Sequence, residues 1–136
     1  MAAVATRTGH GATLTLSGFS VSIISIGGFT QSRPALDTSH LGTTDYRTFI
    51  PGDLADPGEF EVTFFYDSST EAPIVGAAAS LTITLPDSTS GSGSGATIAA
   101  SAFCTSWTTP ELVTDQLMTA TATFKWADGP TFTDET

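Results

Sequence analysis

Apolar and polar positions alternate with a period of two along most of this chain. In residues 58–67, GEFEVTFFYD, the side chains of Phe60, Val62, Phe64 and Tyr66 fall on one face, and Glu59, Glu61, Thr63 and Phe65 on the other. That alternation predicts a strand with one face on a core and one mostly wet. QLMTATATFKWADG, from 116 to 129, repeats it: Met118, Ala120, Ala122, Phe124 and Trp126 against Leu117, Thr119, Thr121, Thr123 and Lys125. ASLTITLPDS adds Leu81, Ile83 and Leu85 on one face, and ATIAASAFCTSW a strand running into Trp107. ATLTLSGFSVSIISIGGF predicts two antiparallel strands, 12–17 and 20–26, and the change of parity at Ile23–Ile24 marks a bulge or a strand covered on both faces. SSTEAPIVGAA, from 68 to 78, breaks the pattern. Ser69 or Thr70 suits a helix cap with Glu71 in the first turn, so one short helix is expected there, limited by Pro73 and Gly76. Residues 33–57 show neither period. The sum is all-β: an antiparallel sandwich or partly open barrel of about six or seven strands, with a short flanking helix and a long inter-strand loop. Strand 117–126 carries little lysine or proline to block an edge, which favours assembly through it.

The 136 residues suit a single domain, with a loose N-terminal arm over 1–10 and a short acidic tail. Fourteen acidic residues face only Arg7, Arg33, Arg47 and Lys125, a formal charge of -10. Such a surface repels phosphate and argues against sequence-specific binding to nucleic acid. The apolar share of 40% argues against a disordered chain. Cys104, the only cysteine, sits in FCTSW between aromatics and reads as a buried thiol. The N-terminal stretch lacks the apolar run of a signal peptide, and no run of eighteen apolar residues could span a membrane. A soluble protein of a reducing cytoplasm, until it assembles, is the expectation. TSGSGSG, from 89 to 95, reads as a flexible hairpin loop.

Candidate chemistry is thin. DTSHLG places Asp37, Ser39 and His40 together, but neighbours in an extended segment diverge, whereas a triad needs a serine on a sharp elbow and a separately placed base. Local hydrogen bonding by Thr38 and His40 is the simpler reading. His10 and His40 have no partner at metal-ligand spacing, so neither a metal nor any cofactor is expected. Glu59 and Glu61 share one strand face instead of opposing each other across a cleft, as a glycosidase requires. GGF at 27–29 and the SGSGSG run lack the lysine and helix of a phosphate loop. No catalytic residue is assigned.

Residues 26–52, IGGFTQSRPALDTSHLGTTDYRTFIPG, resemble the central signature of the major tail tube proteins of long-tailed bacteriophages. The matching elements are Ser32-Arg33, Asp37-Thr38-Ser39-His40-Leu41 and Arg47-Thr48-Phe49-Ile50-Pro51-Gly52, followed by the acidic strand at 59–66. The later order of elements also agrees, so the resemblance covers nearly the whole chain, most specifically from 26 to 66. It implies homohexameric rings stacked into a virion tail tube that conducts DNA into the host without binding it specifically. It also implies assembly in the host cytoplasm with tape measure, tail tip and terminator proteins, and no membrane partner. By the same resemblance 33–57 is an assembly loop reaching the next ring. Arg33, Asp37, Thr38, His40, Leu41, Tyr46, Arg47, Phe49, Ile50 and Pro51 are its contact residues, and each arginine is expected to find a carboxylate. Glu59 and Glu61 are the candidates to face the lumen. No appended C-terminal domain of the kind some members carry is expected. The alternatives are another structural virion subunit, such as a head-decoration protein, and a carbohydrate-binding module with Tyr66, Trp107 and Trp126 as an aromatic platform.

Overall fold

The computed structural model describes residues 10–66, 71–86 and 95–134. Its main element is one antiparallel sheet of seven strands. In chain order these are β1 (Thr13–Leu16), β2 (Ser22–Ile26), β5 (Glu59–Phe65), β6 (Ala79–Thr84), β7 (Thr97–Thr108), β8 (Thr119–Trp126) and β9 (Thr131–Thr133), with β3 (Ala35–Asp37) and β4 (Phe49–Pro51) forming a separate two-stranded hairpin. Across the large sheet the order is β1-β6-β7-β8-β5-β2, and β9 pairs with β7 alongside β8.

β1 and β2 therefore lie at opposite edges, although only residues 17–21 join them. Six flat strands would hold their outer members about 24 Å apart at about 4.8 Å per spacing. A link of this length reaches at most about 20 Å fully stretched. Here it is not stretched, because Phe19 N–H donates to the Leu16 carbonyl at 3.1 Å in a turn. The sheet must curl until its edges approach, and it stops short of closing. Phe19, buried in that turn, fills the hollow with its ring edge-on to Phe64 (5.2 Å) and close to Phe124 (5.6 Å). The expected pairing of 12–17 with 20–26 is replaced by pairing of each with a distant strand: β1 with β6 and β2 with β5. Nor is there a second sheet packed face to face, as a sandwich requires, or a closed barrel.

The core lies on the inner face of the curl. Phe60, Val62, Phe64, Leu81, Ile83, Ala102, Cys104, Ala120, Ala122, Phe124 and Trp126 are buried there, at the positions their alternation assigns. The small alanines of β8 let the rings of Phe64, Phe124 and Phe19 share the hollow. Trp126 packs on Phe60 and Phe29 at 5.2 and 5.5 Å, and its indole N–H finds no acceptor among the described residues. With Trp126 buried, the three-ring platform of a carbohydrate-binding module does not form; only Tyr66 and Trp107 stack, 6.4 Å apart. The bulge sits where the parity changed, the register of β2 against β5 slipping between Ile23 and Ser25.

Two further expectations are corrected. No helix occurs among the described residues, so the flanking helix is absent from the fold. Ser69 and Thr70 lie outside the described residues, but 71–78 form an irregular turn in which Ile74 N–H donates to the Ala72 carbonyl and Gly76 N–H to that of Pro73. Pro73 lacks an N–H and disfavours helical backbone at Ala72, Gly76 adds entropy cost, and the window is too short to nucleate a helix. Strand 117–126 is no edge: β8 lies between β7 and β5. Its alternation shows that one face is buried, which edge and central strands share. The SGSGSG run falls almost wholly outside the described residues.

Candidate assembly surface

Residues 33–57, which showed no period, form an arm built on β3 and β4. Ala35 pairs with Pro51, Leu36 with Ile50 and Asp37 with Phe49. Three-residue strands are too short to show a period, and every residue of both is exposed, so no core imposes one. The hairpin is held by its own polar groups. Thr38 N–H donates to the Thr48 carbonyl at 2.8 Å, and the two threonine hydroxyls meet at 2.8 Å. Thr48 N–H donates to Ser39 Oγ, and Ser39 N–H to Asp37 Oδ1. At the tip His40 N–H donates to Thr43 Oγ1, while His40 Nδ1 accepts the Gly42 N–H at 3.1 Å. Tyr46 N–H donates to the Thr44 carbonyl across Asp45, whose φ of 68° is left-handed. Asp37, Ser39 and His40 are thus each engaged in shaping the turn and make no nucleophile–base pair. Their backbone donors were the reason for that cluster of short polar side chains.

The arginines behave differently from one another. Arg47 Nη1 lies 3.6 Å from Asp37 Oδ2, within the same arm, and its side chain remains 77% exposed. Arg33 finds a carbonyl instead of a carboxylate: its Nε donates to Gly52 at 2.6 Å. The Ser39 N–H and hydroxyl hold the Asp37 carboxyl below its usual range.

The root of the arm is rigid. Ser32 and Asp56 exchange backbone hydrogen bonds of 3.1 and 2.7 Å. Asp56 Oδ1 accepts both the Gly58 N–H at 2.8 Å and Lys125 Nζ at 3.2 Å, which ties the arm to β8. Those two donors, the Gly58 amide first, lower the Asp56 pKa. Gly58 has a φ of 88°, and a Cβ there would collide with the Thr30 carbonyl. A Cβ on Gly52 would collide with the Pro34 ring.

Beyond its root the arm leaves its apolar side chains largely uncovered by the other described residues. Leu41 is fully exposed, Tyr46 and Leu54 are 84% and 82% exposed, and Leu36, Phe49 and Ile50 about half. Single exposed apolar residues need no explanation; six on one arm are a larger exposed apolar set than scatter accounts for. A second feature is a largely apolar cavity of about 700 Å³ beside β2, lined by Ile23, Ile24, Ile26, Phe29, Ile83 and Phe132, among others. Glu59 and Glu61 are exposed on the sheet face opposite the core, beside Thr63, Thr121 and Thr123. No group of three or more histidine, cysteine or acidic side chains among the described residues could hold a metal.

No family model and no curated protein sequence matches the chain. Solved structures do. A chain in the cryo-EM structure of an extracellular contractile injection system, the PVC sheath/tube terminator in extended state, superposes with a TM-score of 0.75 at 13% identity, over 96% of this chain and 99% of its own. A chain of the anti-feeding prophage tube-terminating cap gives 0.73 at 15% identity, covering 98% and 95%. A chain in the virion of a native gene transfer agent gives 0.68 at 10% identity, covering 94% and 99%. The fold is thus shared, nearly end to end, with chains of injection-system and tail-bearing particles.

Proposed function

We propose that this protein is the repeating subunit of a virion tail tube, assembling as homohexameric rings that stack into a hollow conduit for DNA. The observation that supports the reading is the arm: a hairpin with six apolar side chains that no other described residue covers, on a fold shared with chains of injection systems. Six-fold order fits the six-fold symmetrised baseplate of the anti-feeding prophage and the C6 tail of the gene transfer agent, where chains of this fold occur. The free edges of β1 and β2 supply backbone donors and acceptors for lateral pairing. Glu59 and Glu61 would face the lumen together with Thr63, Thr121 and Thr123; Lys125 lies opposite Glu59 on that face, but its ammonium is engaged by Asp56, so DNA would meet mainly carboxylates and hydroxyls. Tape measure, tail tip and terminator proteins would be the partners of such a tube, and its place would be the virion tail after assembly in the host cytoplasm. Negative-stain imaging of the concentrated protein tests this. Hollow filaments of stacked rings are expected; trimers or unassembled monomers would favour a head-decoration role and overturn it.

A further inference from the structure

The incomplete curl of the sheet leaves part of its hollow open. The cavity of about 700 Å³ beside β2 takes its walls from elements that are not neighbours in the sheet: Ile23, Ile24, Ile26 and Phe29 from β2 and the segment after it, Ile98 from β7 and Phe132 from β9. Among the described residues no aspartate, glutamate, lysine or arginine lines it. Ile24 and Phe132 remain about half exposed there. An apolar opening of this size costs free energy while water fills it.

His10, Gly11 and Ala12 belong to the same wall, and His10 is the first described residue of the chain. Residues 1–9, MAAVATRTG, therefore continue directly from the rim, and their first five are apolar. The other stretches outside the described residues, 67–70, 87–94 and 135–136, read DSST, DSTSGSGS and ET and carry no apolar side chain beyond glycine. The four residues Thr6 to Gly9 reach up to about 14 Å, enough to bring residues 1–5 back over the opening. A segment tethered this closely has an effective concentration of about millimolar, so it meets the cavity ahead of any second copy at micromolar concentration.

We propose that residues 1–5 of the same chain occupy this cavity, with Val4 packed among Ile24, Ile98 and Phe132. A stretch that reads as a loose arm then becomes the last piece of the core, closing the gap that the sheet leaves. Both halves belong to one subunit, so the contact does not rest on the tube reading.

The test uses the full chain as a dilute monomer, with nuclear Overhauser contacts read from the methyl groups of Ala2, Ala3, Val4 and Ala5. Contacts to Ile24, Ile98 and Phe132 are expected within one copy. Val4→Asp, which puts a carboxylate against apolar walls, should abolish them while circular dichroism stays unchanged. The apolar dye anilinonaphthalene sulfonate should then bind the variant at least about ten-fold more tightly than the parent, because a docked segment leaves the parent's cavity open less than about a tenth of the time. Coil-like methyl shifts without such contacts in the parent, or equal dye affinity in the two proteins, would overturn the proposal. Contacts found only between labelled and unlabelled copies would overturn it too, by giving the cavity to a second copy. Each of these results leaves the imaging test of the tube untouched.

Discussion

Gly58→Ala isolates the root of the arm from everything else in the molecule. The residue joins the Ser32–Asp56 bridge to the first residue of β5, its φ is 88°, and its N–H fills one lone pair of Asp56. Alanine in left-handed backbone costs about 1 kcal/mol. Its methyl group would also meet the Thr30 carbonyl, which is main chain and cannot swing aside as a side-chain tip would. Either Thr30 shifts, at the expense of the strand it leads from, or Gly58 changes conformation and gives up its bond to Asp56. The combined loss should be about 2–4 kcal/mol. Urea unfolding of the monomer, followed by tryptophan fluorescence, would measure it through a lower midpoint at unchanged slope. Gly129→Ala is the control: its Cβ would meet nothing within 4 Å and its φ is not positive, so a change within about 0.5 kcal/mol is expected. Equal stabilities for the two variants would refute the described geometry of the root.

Other outcomes follow from the same geometry. Phe64→Ala removes a fully buried ring that Phe19 meets edge-on and should cost about 3–5 kcal/mol by urea unfolding. Asp37 and Asp56 both have lowered pKa values in the fold, so the stability they lend is complete above the ordinary carboxyl value of 3.8 and is lost as pH falls through the lowered ones. The amide shifts of Ser39 and Gly58 should report that loss below 3.8, and titration at or above it would contradict the assigned hydrogen bonds. Backbone amides of 33–57 should exchange fast in the monomer, since two three-residue strands hold them, and slowly in tubes, while β5 stays protected in both. Strong protection of the arm in the monomer would show that it has an intramolecular seat. Changing Glu59 and Glu61 together to lysine should leave the fold intact and make tubes retain DNA at low salt; tubes that remain clean would place that face outside the lumen.

Alternation made β5, β6 and the second half of β8 legible, because a buried face imposes period two on whatever sequence occupies it. Phe60, Val62, Phe64 and Leu81 were placed by that pattern, and the parity change at Ile23–Ile24 located the bulge. Pairing was not legible in the same way. β1 and β2 are near neighbours in sequence and looked like a hairpin, yet nothing local records that the sheet curls far enough to put them at its two edges. The helix expected around 68–78 followed from capping chemistry and alanines. Pro73 and Gly76 outweighed it, and Ala72 is fixed by burial in the core. The arm is the opposite case. It has no period because it has no core, and its strands are held by threonine, serine and aspartate side chains, whose turn-forming habit is visible in sequence only as polarity. A carboxylate partner for each arginine was expected, and Arg47 has one in Asp37 of the same arm; the pairing of Arg33 with a carbonyl was not legible, since a guanidinium donates to either kind of acceptor and only the approach of Gly52 decides.

A subunit with exposed apolar side chains on its arm and its connections and two free sheet edges must avoid premature association, and its acids lie beside those side chains. Asp45 precedes Tyr46, Asp53 precedes Leu54, and Glu111 precedes Leu112. With a formal charge of -10, two copies repel at distances up to the Debye length, about 8 Å at physiological salt, so a loose hydrophobic encounter is opposed before the side chains touch. The opposition depends on orientation. Two arms meeting tip to tip bring Asp45 and Asp53 of one against those of the other, and two 109–118 connections bring Glu111 and Asp115 against their own copies. In each of these pairings that includes an arm, Arg47 meets carboxylates of the other copy. Exposed ion pairs are worth about 0–1 kcal/mol each, too little to hold a stack. The apolar contact would supply the affinity, at about 25 cal/mol per Å² buried.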